Sequence, residues 1–202
     1  MTESAERITL DRTRQAAPQI VEHLRERILA LDLHPGALLS RSALQQQFGI
    51  SQTPVRDALL KLEEEGLVTV FPQHATLVSR VDLNKARQAH FMRRAIEADI
   101  VRSLATNHLP GTVEKLRRAN SDVAAECRDR NEPAFLRADR AFHHALFEQA
   151  GMILLWPIVR SNSGHLDRLR RLNLPNVGTE RIVRQHDSII EAIAAKDAQA
   201  AD

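Results

Sequence analysis

The spacing of apolar residues changes period twice along this chain, and these two changes bound the fold more tightly than any other feature. Up to Gly66 the repeat is helical: Ile20, Leu24, Ile28 and Leu31 form one stripe of an amphipathic segment, with Val21 and Leu29 beside it. In "LVTVFPQHATLVSR" the period shortens. Leu67, Val68 and Val70, then Leu77 and Val78, flank a polar tip from Pro72 to Thr76, the pattern of a β-hairpin. From Asp82 onward helical spacing returns and no strand signal follows.

Punctuation divides the first part. "HPG", His34 to Gly36, stops the first helix; a second runs from Ser42 to Phe48, with Ser40 as N-cap and Gly49 at the C′ position. The third lies in "ISQTPVRDALLKLEEEGL". Ser51 is its N-cap, Pro54 is tolerated in a first turn where its missing N–H has no partner, and Val55, Leu59 and Leu62 form the inward face before Gly66 ends the helix. Three short helices and a hairpin have the order of a winged helix-turn-helix. Beyond it, helices are predicted at about 82–107, 110–129, 132–149, 152–172 and 178–196, separated by "LPG", "RNEP", Gly151 and "NLPNVG". The chain is therefore expected to be mainly α: a winged helix-turn-helix domain, 1–80, and an all-α bundle, 81–202.

Charge does not by itself announce a nucleic-acid partner. The net charge is +2, and residues 1–80 carry nine Lys and Arg against ten Asp and Glu, so such a role must rest on where individual side chains sit. With 3% aromatic residues and no tyrosine, the chain lacks the means for base-stacking platforms. Cys127 is the single cysteine, which excludes an internal disulfide and a cysteine-based zinc site and suits a reducing cytoplasm. "MTESAERITLDRTRQ" has no apolar core of signal-peptide length, and no run approaches the roughly 18 apolar residues of a membrane span, so neither export nor a membrane is expected.

The polar start of the third helix is what a DNA-reading helix requires. Arg56 suits a bidentate contact to guanine or phosphate and Gln52 suits adenine; Ser51 and Thr53, with the unpaired N–H groups of the helix start, suit phosphates. Arg41, at the start of the second helix, and His74, at the hairpin tip, are counted with them. The plainer alternative is a capped surface helix bearing one arginine. The stretch "LLSRSALQQQFGISQTPVRDALLKLEEEGLVTVFPQHATLVSR" resembles the DNA-binding domain of the GntR family of bacterial transcription regulators, over about residues 15–80. Two departures stand out. Gln52 occupies a place where the family usually has arginine, which implies a shallower salt dependence of binding; His74-Ala75 stands where Arg or His followed by Gly is usual, and Ala75 is expected to constrain a tip at which a Gly could take positive φ.

In the second half, Asp139 and His143 are four residues apart and project from one helix face, close enough to chelate one ion; Phe135, Phe142 and Leu146 turn that face inward. His186 lies among Ile182, Ile189, Ile190 and Ile193, and His165 in "SNSGHLDRLRRL" is a further candidate. The alternative is a set of hydrogen-bonded core histidines, with Asp139 paired to Arg137 or Arg140. His144 is expected to face away. Arg93 and Arg168 suit bidentate pairing with a carboxylate, whereas Arg170 and Arg171 read as a solvated charged face.

Residues 82–202 are similar to the FCD domain, the effector-binding helical domain of the FadR-like branch of GntR regulators. The similarity rests on "RRAIEADIVRSLA" with Arg93 and Glu97, on the Asp139/His143 pair, and on His186 ahead of "IIEAIAAKD". It implies a divalent ion, zinc, nickel or manganese, held by Asp139, His143 and His186 and positioning a small carboxylate effector near Arg93, His165 and Arg168. The family's fourth histidine would fall about six helical turns beyond His186, past Asp202. A truncated chain, a site with one ligand fewer, or His165 in its place are the alternatives, and weaker metal binding is expected. The implied function is a cytoplasmic, ligand-responsive transcription regulator, not an enzyme, that binds a near-palindromic duplex operator as a homodimer. Other readings are a regulator whose bundle only dimerises, or a helical-bundle metalloenzyme. For the latter the sequence lacks Glu-x-x-His pairs, His-Glu-x-x-His and a Gly-rich phosphate loop.

Overall fold

The computed structural model describes residues 8–72 and 74–199. The first residues of the segment read as lacking a signal core, Gln73 of the hairpin tip, and the chain end at Asp202 lie outside the described residues. The elements follow in the order α1 (Ala16–Leu29), α2 (Arg41–Phe48), α3 (Gln52–Glu64), β1 (Val68–Phe71), β2 (Ala75–Val78), α4 (Leu83–Thr106), α5 (Thr112–Arg128) and α6 (Glu132–Gln149); a 3-10 turn at Ile153–Leu155 then leads to α7 (Trp156–Asn162), α8 (Gly164–Val177) and α9 (Thr179–Ala194). This is a mainly α chain, a winged helix-turn-helix followed by a helical bundle. It divides into two units, Met1–Ala86 and Arg87–Asp202.

In the first unit the helical stripes meet in one core. Ile20, Leu24 and Ile28 of α1 bury against Val55, Leu59 and Leu62 of α3, closed by Leu67, Val68 and Val78 of the hairpin. Full burial of each such side chain is worth about 1.5–3 kcal/mol. Helix α1 ends before the HPG turn, because Leu31 already adopts a left-handed φ of 63°. Two polar ties fix α3 from behind. Arg25 grips both oxygens of Glu65, Nε to Oε2 at 2.8 Å and Nη2 to Oε1 at 2.7 Å, joining α1 to the end of α3. Glu63 Oε1 accepts the backbone N–H of Val70 at 2.8 Å, joining α3 to β1. At the helix starts, Ser40 Oγ caps α2 through Ala43 N–H, whereas Ser51 holds the extended backbone of an N-cap without a side-chain cap bond.

The hairpin is antiparallel, with Val68 opposite Val78 and Phe71 opposite Ala75. Thr76, expected in the tip, therefore lies within β2 opposite Val70, and the turn is shorter than predicted. Ala75 needs no glycine-like backbone either: among the described residues the non-glycine positions with positive φ are Leu31, Arg130 and Lys196.

The second unit is built around the aromatic face of α6. Phe135, Phe142, Leu146 and Phe147 pack with Leu104 of α4, Leu116 and Val123 of α5, and Ile190 and Ile193 of α9. The single helix predicted at 152–172 is broken. Pro157 opens α7, and Ser163, whose Oγ donates to Val159 O at 2.7 Å, separates it from α8. Helix α8 then continues past the expected stop at Asn173 to Val177 and carries Pro175 within its last turn, where the missing N–H forgoes one intrahelical bond. No described helix is long and apolar enough to cross a membrane.

Candidate functional site

In the first unit the polar candidates lie at the starts of α2 and α3 and at the wing. Ser51, Gln52, Thr53 and Arg56 are exposed on and just before the first turn of α3, while Val55, Ala58 and Leu59 of the same helix are buried. Arg41, Gln52 and His74 line a common depression with Ser40, Ser42 and Gln45, between the start of α2 and the wing. Three of the six residues chosen from sequence, Arg41, Gln52 and His74, thus share one depression, and Ser51, Thr53 and Arg56 are exposed at the neighbouring start of α3.

In the second unit, Asp139 and His143 of α6 and His186 of α9 are all buried, and one ligand atom from each lies within 4.8 Å of the others. Asp139 Oδ1 is 3.8 Å from His143 Nε2 and 3.5 Å from His186 Nε2, and it has no hydrogen-bond partner. The surrounding residues decide which ring nitrogens carry protons. Asn120 of α5 donates through Nδ2 to Asp187 Oδ1 at 2.7 Å and to Val183 O at 3.3 Å, so its Oδ1 can only accept. That oxygen is 3.0 Å from His186 Nδ1, which must then be the N–H, leaving the Nε2 lone pair toward Asp139. Glu97 Oε2 lies 3.1 Å from His143 Nδ1, off the line of a good hydrogen bond but close enough for the carboxylate to draw the ring proton to that side. Phe142 stacks on His186 at 3.9 Å between centroids and fixes its plane.

The result is three acceptors, two imidazole lone pairs and a carboxylate oxygen, turned toward one point without a donor between them. Burial, then the neighbouring His143, hold the His186 pKa down at about 3, so its ring is neutral. Burial works to raise the pKa values of Glu97 and Asp139, but their neighbours win. His143 and Arg93 keep Glu97 at about 2, and Arg170 leads the groups that hold Asp139 below its ordinary value. A His₂Asp set of this kind fits a divalent ion.

The comparisons with known proteins bear on both units. Residues 88–202 match the FCD domain, and residues 16–78 match the bacterial regulatory proteins of the gntR family. The chain belongs to the GntR family. It is similar to an HTH-type transcriptional regulator encoded in an unstable DNA locus of Streptomyces ambofaciens, 39% identical over 175 residues that span 86% of this chain and 73% of that protein. It is also similar to the HTH-type transcriptional repressor RspR of Escherichia coli K12, 28% identical over 96% of this chain and 85% of RspR. Among solved structures, E. coli McbR/YncC superposes with a TM-score of 0.78 at 20% identity, over 93% of this chain and 90% of that one, which shows the fold. The protein is thus a GntR-type transcription regulator with an FCD domain.

In this GntR regulator a cavity of about 530 Å³ opens beside the acceptor cluster, lined by Arg93, Glu97, His143, Arg170, Gln185 and His186 among others. Arg93 lies on the cavity wall, with Nε donating to Glu97 Oε1 at 2.7 Å. His165 and Arg168 are not among the residues that line it. On α8, Leu166 and Arg170 share the face toward the cavity, and His165 and Arg168 fall on another. Arg168 is fully buried, donating from Nε to Gly164 O at 3.1 Å, with Nη2 3.2 Å from His165 Nδ1. Nor is His165 one of the clustered ligands. Conversely Arg170, read from sequence as part of a solvated face, lies with Nη1 3.4 Å from Asp139 Oδ2. Asn120 was missed altogether. Its signal was a polar residue between Leu116 and Val123 on the apolar stripe of α5. His144 points away, edge-on to Trp156.

Proposed function

We propose that this regulator binds a near-palindromic operator as a homodimer and that a divalent metal, with a small carboxylate effector beside it, sets its affinity for that operator. Arg56 and Gln52 read base edges in the major groove. Ser51, Thr53, Arg41 and His74 hold phosphates around them, and two copies of α3 read half-sites about one helical turn apart. Asp139 Oδ1, His143 Nε2 and His186 Nε2 hold the ion, which when bound supplies a fixed positive charge facing the cavity. Arg93 adds a second positive group to that wall, so the cavity selects an anion such as a sugar acid. The protein acts in the cytoplasm.

The observation that supports the metal reading best is the convergence of three buried acceptors with no donor among them, their ring protons drawn outward by Asn120 and Glu97. A core built only for packing would place a donor at that point, because uncompensated buried acceptors destabilise a fold. Effector control requires that the metal- and effector-bound form differ in operator affinity from the empty form, a coupling typically of about 1–3 kcal/mol. The test joins elemental analysis of chelator-free protein with thermal shifts over a panel of short organic and sugar acids, with and without metal. Metal content that is lost in His186→Ala, and acid-induced shifts that need the metal, are the expected results. Equal metal content in His186→Ala would reject the site.

A further inference from the structure

Asp139 has two claimants. Its Oδ1 faces the lone pairs of His143 and His186, while its Oδ2 lies 3.4 Å from Arg170 Nη1. The ion pair is loose, longer than the roughly 2.7–2.9 Å of a charge-assisted hydrogen bond. The two partners also differ in freedom. The Asp139 side chain is 4% exposed and fixed on α6, whereas that of Arg170 is 31% exposed, at the wall of the cavity. Arg93, on the same wall, is held closer, at 2.7 Å from Glu97.

We propose that Arg170 is an internal counter-cation of this centre: it gives up Asp139 when a dication binds there, and then anchors an anion in the cavity, so that metal and carboxylate bind cooperatively. This rests on the metal reading above. Arg170 can act in two opposed ways, and magnitude decides between them. As an orienting partner of the Asp139 carboxylate it would strengthen metal binding, an effect of about 10- to 100-fold for such outer contacts. As a cation one carboxylate away from a dication it weakens binding. That repulsion is about tenfold even in a nearly aqueous dielectric, and several orders of magnitude larger at the effective dielectric of a partly buried pair. Repulsion prevails, and the exposed side of Arg170 gives the guanidinium room to swing away. An anion that pairs with it relieves the repulsion, and by linkage the metal then favours the anion to the same degree.

Calorimetric titration of the full chain with Ni²⁺ tests this, in chloride and again with acetate replacing chloride at constant ionic strength. Wild type should bind more tightly in acetate. Arg170→Gln should bind Ni²⁺ about tenfold or more tightly than wild type in chloride, and should lose the acetate response. Arg170→Lys, which keeps the cation, should resemble wild type and guards against a folding defect in the glutamine variant. Weaker or unchanged Ni²⁺ binding by Arg170→Gln would mean that Arg170 only positions Asp139, and would overturn the proposal. So would an acetate response that is absent from wild type or persists in that variant. If instead wild type binds Ni²⁺ no better than His186→Ala does, the metal reading itself fails, an outcome recognisable because it does not depend on Arg170.

Discussion

Glu97 Oε2 lies 3.1 Å from His143 Nδ1, and the same carboxylate accepts Arg93 Nε on its other oxygen at 2.7 Å. One acidic side chain thus lies against the imidazole and restrains the arginine of the cavity wall. With Glu97→Ala, the His143 ring loses the group that draws its proton away from the centre. Metal affinity is expected to fall by about 10- to 100-fold, the usual loss when an outer partner of a ligating histidine is removed. Titration with Ni²⁺ reads this directly, and an unchanged affinity would show that packing alone orients His143.

Asn120 plays the corresponding part for His186, but from a buried position. Asn120→Ala leaves the His186 Nδ1–H without an acceptor, and should cost about 1–3 kcal/mol of stability besides weakening metal binding. Urea unfolding in the presence of chelator separates the two effects.

Acid should loosen the bundle in two stages. The His186 pKa is held at about 3 against 6.5, chiefly by burial, and that of Glu97 at about 2 against 4.5 by His143 and Arg93 beside it in spite of burial. Both are depressed in the folded state, so the unfolded chain binds these protons first. Their contribution is complete above about pH 6.5, declines below it through His186 at up to about 1.4 kcal/mol per pH unit, and steepens below about pH 4.5 as Glu97 joins. Unfolding free energies of chelator-treated protein, measured from neutral pH to about pH 4, should follow that curve, and His186→Gln should flatten its upper part. A level profile for wild type would contradict it.

On the DNA side, Arg56→Ala should reduce discrimination between operator and random duplex by about 1–3 kcal/mol, the range for one bidentate base contact. Equal losses on both duplexes would make Arg56 a phosphate contact instead.

Gln52 gives an independent check on the weak local charge of this unit. Gln52→Arg adds a cation to the exposed start of α3 and should steepen the slope of log affinity against log salt by about one. Competition titrations at several salt concentrations measure that slope, and an unchanged value would place residue 52 away from the phosphates.

The order of elements could be read from sequence because it is a matter of local period and punctuation. The stripe of Ile20, Leu24 and Ile28, the inward face of Val55, Leu59 and Leu62, and the alternation after Gly66 each report which way one residue points relative to its near neighbours. The Asp139/His143 pair was legible for the same reason, since two residues four apart must share a helix face. Identity and order along the chain thus determined the winged helix-turn-helix, the helical bundle and the outward polar start of α3.

Only the packed structure decided which arginine meets Asp139. Arg168 and Arg170 are two residues apart on α8 and chemically equal. Their fates, one buried beside His165 and one at the cavity, depend on the rotation of that helix about its axis, which follows from the break at Ser163 and from the neighbours α8 packs against. Likewise Asn120 becomes the partner of His186, 66 residues away, only where α5 lies against α9. Such long-range pairings are set by how side-chain volumes fill a shared interior, and no local spacing in the chain records that.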